Sequence, residues 1–489
     1  MEKQMMKAAG LALVLALAPG AAKAVEIYNN GKDASVDLGM RYQVQGVFEN
    51  LNTADSAAPV TGANPTGAGP RDLTRIYLFQ PENRLKMTAL LDGIEFKFED
   101  AFGSEAYAGS NNLYDLLEMD AKFPVTDSLA ITAGLSKMPD NNASATYEEN
   151  MLFTSHSQLL NMFFNKGYDT AVFASYKVGL FDTEVGTEQG APNLPQRYIP
   201  ERLEMPVPVF MRIGVGNIKD DPTRFKQIGF EKSEGDQWAA HLNGFWLGDS
   251  SAGHGTLFSQ MSTQADAPKG PFVNGNEMFS KNYNPYLSAG ASSMGGALGP
   301  VNNQFWQAAF DAQYRKPVGS NWLIAGAQYS IAQYVAPDLA PIKLNGIAGG
   351  TTKFGQITNQ GFEAYLGLDS DKWFIASRLD VLIADMQQGF FNTVTTNGPA
   401  GSGIVNRIDT VTPIFNSEPI YELEFPTLGW KFSKYAKLVA ELEHNFNVPL
   451  GVDTDGVYDL KAVPVEGSLN KYDHLAYSMT GRLMFQVAF

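Results

Sequence analysis

The last thirteen residues of the sequence read YSMTGRLMFQVAF, residues 477–489. Apolar and polar residues alternate along this stretch, and a period of two is that of a β-strand whose two faces meet different surroundings. The apolar face would hold Tyr477, Met479, Leu483, Phe485, Val487 and Phe489, and the polar face Ser478, Thr480, Arg482, Gln486 and Ala488. Soluble sandwiches and membrane barrels both contain such strands, so the rest of the chain must decide between them.

The beginning of the chain has the pattern of a secretory signal peptide. Two lysines precede the apolar run Ala8–Leu17, which is too short to cross a bilayer as a helix. A Pro-Gly pair follows, and Ala22-Lys23-Ala24 places small residues at the spacing of a cleavage site. We therefore expect residues 1–24 to be a cleaved signal peptide and residues 25–489 to form the mature, exported protein.

The composition of the remaining chain favours a barrel. No later apolar run reaches the roughly 20 residues that a spanning helix needs. The chain is 12% aromatic and contains 47 glycines, yet it is 44% hydrophobic overall. These values suit a protein in which apolar residues alternate with polar ones instead of clustering.

Cysteine usage and charge exclude several classes of function. Cysteine is absent and the five histidines are scattered, so disulfides, thiolate metal sites and covalently attached c-type haem are excluded and no cofactor is expected. The formal charge is −16, and residues 1–24 contribute three lysines and one glutamate, so residues 25–489 carry −18 (−16 − 2). Nucleic-acid binding needs basic patches, so no nucleic-acid partner is expected.

The spacing of the alternating segments predicts an all-β fold, a transmembrane antiparallel β-barrel of about 16 strands. Tight turns are expected at Asp92-Gly93, Pro124–Ser128, Arg315–Ser320, Asp369–Lys372 and Ser433–Tyr435. Eight long connections alternate with the turns: Leu51–Pro70, Gly103–Asn112, Pro139–Gly167, a stretch after Thr187, Asp249–Asn303, Val335–Thr358, Gln387–Asn416 and Val448–Leu469. This predicts long extracellular loops, short periplasmic turns, and a last strand that closes on Val36–Phe48.

Two regions need interpretation. Val209–Val215 and Lys226–Phe230 both alternate, and counting both gives an odd number of strands; we interpret the first as loop or rim structure. Trp322, Trp373, Trp430 and Tyr435 lie beside short turns, where an aromatic girdle at the membrane interface is expected. The alternative for these aromatics is the core of a soluble sandwich.

The C-terminal stretch resembles the signature of bacterial outer-membrane proteins, a terminal Phe preceded by apolar residues at alternate positions. The resemblance implies recognition by the barrel-assembly machinery through Tyr477, Leu483, Phe485, Val487 and Phe489. Val25–Lys32, followed by Val36-Asp37-Leu38, resembles the mature N-terminus of general porins. The partners implied are outer-membrane lipid, lipopolysaccharide, small solutes or ions and, as in many porins of 16 strands, two further copies in a homotrimer.

A second resemblance concerns the region before residue 139. Ala133–Pro139, with Glu148-Glu149 and Met151–Phe153 downstream, resembles the phosphate-selective (O/P-type) porins at the end of strand five and the start of loop three. Those proteins usually carry an aromatic where Ser136 stands and another where Asp140 stands, so the resemblance supports position in the barrel more than substrate. It implies that the loop Pro139–Gly167 folds into the lumen and narrows it.

Within that loop, a short amphipathic helix is expected between Ala143 and Phe164. Its apolar residues would pack on the barrel wall: Met151, Leu152, Leu159, Leu160 and Phe163. Glu148, Glu149 and His156 would then face water and become candidates for the constriction. Ser155-His156 is the only adjacent pair with nucleophile and base character, and it lacks any recognisable catalytic context, so no enzyme is expected.

Alternation also assigns charges to the lumen, because an Arg or Lys on the lipid face would cost about 2–4 kcal/mol at the midplane. The candidate pore-lining residues on strands are Arg41, Lys97, Glu118, Asp120, Arg378, Asp380, Glu441, Glu443 and Arg482. Mixed signs with an acidic excess predict a water-filled channel for passive diffusion of small hydrophilic solutes, with a slight preference for cations. The alternatives are an anion- or phosphate-selective porin, and a barrel that sheathes an electron-transfer cytochrome.

Overall fold

The computed structural model describes the strands and the segments attached to them. These ranges are residues 25–29, 34–53, 73–79, 83–102, 114–138, 146–157, 168–188, 209–218, 225–247, 304–335, 356–387, 394–397, 405–408, 419–449 and 475–488. The expected signal peptide, residues 1–24, lies outside them, and so does Phe489.

Within the described residues the chain forms twenty strands. They are β1 (Val25–Asn29), β2 (Ala34–Thr53), β3 (Leu73–Phe79), β4 (Asn83–Leu91), β5 (Ile94–Phe102), β6 (Tyr114–Pro124), β7 (Leu129–Lys137), β8 (Tyr168–Val178), β9 (Phe181–Glu188), β10 (Val209–Gly216), β11 (Gln237–Leu247), β12 (Gln304–Val318), β13 (Asn321–Val335), β14 (Gln356–Asp369), β15 (Trp373–Gln387), β16 (Val394–Asn397), β17 (Val405–Ile408), β18 (Ile420–Ser433), β19 (Ala436–Pro449) and β20 (Leu475–Ala488). The described helical structure is one 3₁₀ turn, Glu148–Asn150, and no described helix is long and apolar enough to cross a membrane.

The sheet is closed by its first long strand and its last strand. β2 pairs antiparallel with β20 from Arg41 opposite Ala488 to Thr53 opposite Ala476. β1 pairs with Ser35–Leu38 of β2, beyond the point where β20 ends. The predicted closure of the last strand on Val36–Phe48 is therefore confirmed, over a register that extends to Thr53.

The closed wall has 16 strand positions. β3 and β4 both pair with β2, at Gln45–Leu51 and Ala34–Tyr42 respectively, so they are two halves of one position; residues 80–82 between them include Pro81. The β16–β17 hairpin forms a sheet of its own, and β1 extends the edge beside β20. The predicted antiparallel barrel of about 16 strands is confirmed.

The turns at one end of the barrel are short, as predicted. Asp92 and Gly93 have φ values of 51° and 81°, the left-handed conformations that a two-residue hairpin turn requires and that glycine adopts without strain. The connection between β10 and β11 is the exception: it runs from residue 217 to residue 236 at this same end. We refer to this end as the periplasmic end, following the topology of outer-membrane barrels.

The interpretation of Val209–Val215 as loop or rim structure, with Lys226–Phe230 as the strand, was wrong. Val209–Gly216 is strand β10, paired with β9 and β11 on its two sides. Residues 225–230 form no strand. Their alternation arises because Phe225, Ile228 and Phe230 are buried against side chains inside the barrel, a pattern that period two alone does not distinguish from strand pairing.

The two faces of the wall differ as a membrane barrel requires. On β15, Ile375 and Leu379 are each 38% exposed on the outside, whereas the alternate residues Phe374, Arg378 and Asp380 are buried on the inside. Trp373 and Trp430 are exposed on the outer face near the periplasmic end, where a girdle belongs. Trp322 is 5% exposed and packs inward against Phe230, so its assignment to the girdle was wrong.

We expect Leu379→Arg to lower the free energy of unfolding by about 2–4 kcal/mol, because Leu379 lies near the middle of β15 on the lipid-facing side. Guanidinium unfolding from phospholipid vesicles measures the change. Leu379→Phe, which keeps the site apolar, is the matched control and should stay close to wild type. An unchanged stability of the arginine variant would contradict a lipid-facing position.

Candidate functional site

The charged cluster inside the barrel lies on four adjacent strands, β15, β18, β19 and β20. Arg378 donates to Glu424, and its Nε lies 3.3 Å from Asp380 Oδ2. Arg482 pairs with Glu443 and, at 3.1 Å, with Glu441 Oε1. Register explains the arrangement, since Arg378 stands opposite Glu424 and Arg482 opposite Glu441, and cross-strand neighbours on one face of a sheet are in contact.

Two of these carboxylates, together with Glu422 on β18, satisfy the distances of a cation site. Asp380, Glu422 and Glu424 each place one oxygen within 4.8 Å of the others, and all three are buried. Arg378 already contacts the group, bonding Glu424 and lying 4.0 Å from Glu422. A guanidinium beside buried carboxylates supplies the compensating charge, so we assign an ion-pair network here and no metal.

A basic patch lies beside this cluster, on β2, which pairs with β20, and on β4, which pairs with β2. Arg84 Nη1 lies 2.8 Å from Glu99 Oε1, and Lys86 Nζ lies 3.4 Å from Glu99 Oε2. Glu149, from the loop after β7, pairs with both Arg41 and Lys86, at 2.6 Å from Lys86 Nζ. The carboxylate of Glu149 therefore binds the loop to this part of the wall. Glu149 was expected to face water, but only 20% of its side chain is exposed.

A few residues later, the same loop contacts the strands of the charged cluster. Thr154 donates its backbone N–H to Glu441 Oε2 at 3.0 Å and its hydroxyl to Glu441 Oε1. Arg378 Nη1 donates to the carbonyl of Ser155 at 3.1 Å, and Lys437 Nζ donates to that of Met151 at 2.8 Å. Residues 146–157 thus contact inward-facing side chains on β2 and β4 and, beyond β20, on β19 and β15. We call these residues the loop segment.

Apolar packing holds the centre of the loop segment. Met151, Leu152 and Phe153 are buried in one cluster with inward-facing wall residues, and each such side chain contributes about 1.5–3 kcal/mol when removed from water. Gly367 on β14 makes room for the segment, because a Cβ there would lie 2.4 Å from Leu152 Cδ1. The wall residues of the cluster are Trp322, Ile324, Tyr365, Phe374, Ala376, Val439 and Met484.

A second stretch, residues 225–231, meets the loop segment from the periplasmic side; we call it the periplasmic segment. The carbonyl of Asn150 accepts hydrogen bonds from the N–H groups of Gln227 (2.8 Å) and Ile228 (2.9 Å). The Gln227 side chain accepts from the N–H of Leu152 at 2.9 Å. Phe230 packs edge-on against Trp322 with ring centroids 5.3 Å apart. Backbone groups that have no hydrogen-bond partner within their own segment therefore find one in the other segment.

The remaining predicted residues are distributed along the wall. Glu118 accepts from the Tyr147 hydroxyl at 3.1 Å, and Asp120 accepts from the Ser136 hydroxyl. Lys97 pairs with nearby Glu95, at 3.4 Å, in a more exposed position. His156 is buried, whereas it was expected to face water. The side chain of Glu148 and the expected wall contacts Leu159, Leu160 and Phe163 lie outside the described residues.

In the assembly stretch, Leu483 is 53% exposed on the outer face, and Phe485 packs near Phe432 with ring centroids 6.3 Å apart. Val487 is buried at 8% exposure, and the side chain of Tyr477 lies outside the described residues. Sequence analysis missed several contributors to the lumen, among them Lys437, the periplasmic segment and the buried residues Arg212, Arg315, Asp311 and Glu363. Lys437 could have been found by extending to the start of β19 the alternation that identified Glu441 and Glu443.

Comparison with solved structures finds outer-membrane proteins of the same general shape. An anion-selective porin from Comamonas acidovorans matches with 9% identity and a TM-score of 0.49, covering 94% of this chain and 100% of that chain. OmpT, an outer membrane protein of Vibrio cholerae, matches at 9% identity and TM-score 0.45 (95% and 100% covered). The outer membrane channel DcaP of Acinetobacter baumannii matches at 10% and 0.45 (95% and 100%). No protein-family profile and no curated protein matches the sequence.

We expect Glu149→Gln to lower the free energy of unfolding by about 1–3 kcal/mol, because the substitution removes the charge that compensates buried Arg41 and partly buried Lys86. Guanidinium unfolding of the folded barrel in detergent measures it. Glu95→Gln breaks a more exposed pair with Lys97 and should cost less than about 1 kcal/mol. Equal effects of the two substitutions would contradict a bridging role for Glu149.

Proposed function

We propose that the protein is an outer-membrane porin, a channel for passive diffusion of small hydrophilic solutes and ions. The observation that carries the proposal is the closed barrel with apolar side chains outside and a charged interior. An interior rich in ionisable groups has no use in a sealed structural barrel, whereas a path for water and ions requires it. The loop segment and the periplasmic segment would narrow this path.

The proposed channel prefers cations slightly. On the four strands of the charged cluster, five inward carboxylates accompany two guanidinium and two ammonium groups: Asp380, Glu422, Glu424, Glu441 and Glu443 against Arg378, Arg482, Lys431 and Lys437. The neighbouring basic patch of Arg41, Arg84 and Lys86 on β2 and β4 moderates the preference, and charges of both signs along a narrow passage order water. Anion selectivity remains the competing possibility because of that patch.

Other parts of the proposal concern the surroundings of the barrel. The exposed apolar band suits outer-membrane lipid, and the acidic chain suits loops near lipopolysaccharide held by divalent cations. Insertion by the barrel-assembly machinery and assembly as a homotrimer are proposed from the resemblance to porins. The loop segment reaches across the barrel, from Glu118 on β6, which accepts from the Tyr147 hydroxyl, to Gly367 on β14, which lies beside Leu152. These contacts disfavour a cytochrome sheath, because a threaded protein needs that space.

Planar bilayers with the purified full-length mature protein test the proposal. We expect stepwise single-channel conductance in KCl and, across a KCl gradient, a reversal potential with the sign of cation preference. A membrane that incorporates folded barrel yet shows no conductance would overturn the porin proposal. An anion-selective reversal potential would keep the channel and overturn the charge argument.

Phe230→Ala should increase the single-channel conductance, because it removes the ring that fills the space between the periplasmic segment and Trp322. Phe432→Ala is the matched control, since Phe432 is 47% exposed on the outer face. Conductance is compared for the two variants at the same KCl concentration. An equal effect of both substitutions would show that the periplasmic segment does not narrow the path.

A further inference from the structure

A cavity of about 480 Å³ lies at the periplasmic end of the barrel. Its walls come from the β14–β15 and β18–β19 turns and from the end of β20. Glu149-Asn150 of the loop segment and Ile228–Phe230 of the periplasmic segment also line it. We call this space the vestibule. Small-molecule sites in proteins typically occupy about 300–1,000 Å³.

The charge of the vestibule is opposite to that of the whole chain. Three carboxylates line it, those of Glu149, Asp369 and Asp371. Six cationic side chains line it as well: Arg41, Lys86, Lys232, Lys431, Lys434 and Lys437. The difference is three positive charges (6 − 3) in a partly enclosed space, where low-dielectric walls strengthen the attraction for an anion.

Most of these cations have a carboxylate beside them. Lys431 bonds Asp369, and Lys232 Nζ lies 3.1 Å from Asp371 Oδ1. Arg41 and Lys86 share Glu149, and both also lie near Glu99, outside the vestibule, at 4.0 Å and 3.4 Å. The excess positive charge therefore resides on the two lysines of the β18–β19 turn and the start of β19, Lys434 and Lys437.

Lys437 is the most informative of the six. It is 6% exposed, and its ammonium group donates to the carbonyls of Met151 at 2.8 Å and Glu149 at 3.4 Å. Among the residues that the structure describes, no carboxylate oxygen lies within 4.0 Å of it. A buried ammonium group normally has an ionic partner, and the cavity that this one faces has room for an anion beside it.

We propose that the vestibule is a binding site for a small multivalent oxyanion, with carboxylate or phosphate oxygens, that enters from the periplasmic end. Lys437 holds the anion at the inner end of the vestibule and Lys434 attracts it at the rim. The proposal goes beyond diffusion through the pore, and it does not depend on whether the path beyond the two segments conducts.

Isothermal titration of the detergent-folded, full-length mature barrel with citrate tests the site directly. We expect saturable binding of one citrate per chain at 50 mM KCl, weakened at 200 mM KCl because salt screens the attraction. Lys437→Met, which keeps the length of the side chain, should lower the affinity at least tenfold. Lys177→Gln changes an exposed lysine outside the vestibule at the same end of the barrel and should leave the affinity unchanged.

Further outcomes separate the site from the proposed function. Resistance of the folded band to SDS without heating checks that Lys437→Met still folds. If this variant does not fold, Lys434→Gln is used in its place, and we expect its affinity for citrate to be severalfold lower than that of wild type. Equal binding by wild type and the lysine variant used, or no binding, would overturn the site. In conducting bilayers, citrate should block from the periplasmic side only, and block from both sides equally would overturn it too. Binding without conductance would overturn the channel and leave the site standing.

Discussion

The pairing of β2 with β20 is the constraint on which the rest of the structure depends. Backbone N–H and C=O groups in hydrocarbon have no water to bond, so every strand of the wall needs a neighbour on both sides. Thirteen register positions, from Arg41 opposite Ala488 to Thr53 opposite Ala476, provide this closure. Closure then fixes which residues face inward along every strand, because a shift by one residue would move Arg378, Asp380 and their neighbours to the lipid.

Closure of the barrel also leaves apolar side chains inside it, and these must be covered. Alternation places Trp322, Tyr365 and Phe374 inside, where an empty lumen would expose them to water. The loop segment and the periplasmic segment cover them, and inward glycines leave the space: a Cβ at Gly429 would lie 2.0 Å from the Phe374 ring, and one at Gly367 would meet Leu152. Burial of apolar surface thus holds the loop segment and the periplasmic segment inside the barrel. The hydrogen bonds between the two segments fix how they are oriented to each other.

The sequence predicted the wall well because the wall follows a local rule. Period two and the eight long connections predicted about 16 strands, and Glu441, Glu443 and Arg482 face inward as alternation required. The errors concern residues whose surroundings come from distant parts of the chain. Trp322 has the position of a girdle residue but packs on Phe230, about ninety residues earlier, and Glu149 meets Arg41, 108 residues earlier. No local pattern encodes such contacts. The alternation in the periplasmic segment was therefore interpreted as a strand, although this segment folds into the barrel.

Charge is segregated along the barrel axis, and this bears on what a single selectivity measurement reports. The carboxylate excess lies on β15, β18, β19 and β20 in the middle of the wall, whereas the vestibule at the periplasmic end has a cationic excess. Lys437 and Glu441 are four residues apart on one strand, about 13 Å along it. The two regions therefore act on an ion one after the other. Net lumen charge alone does not describe such a path, because an anion attracted at one end meets repulsion deeper in the barrel.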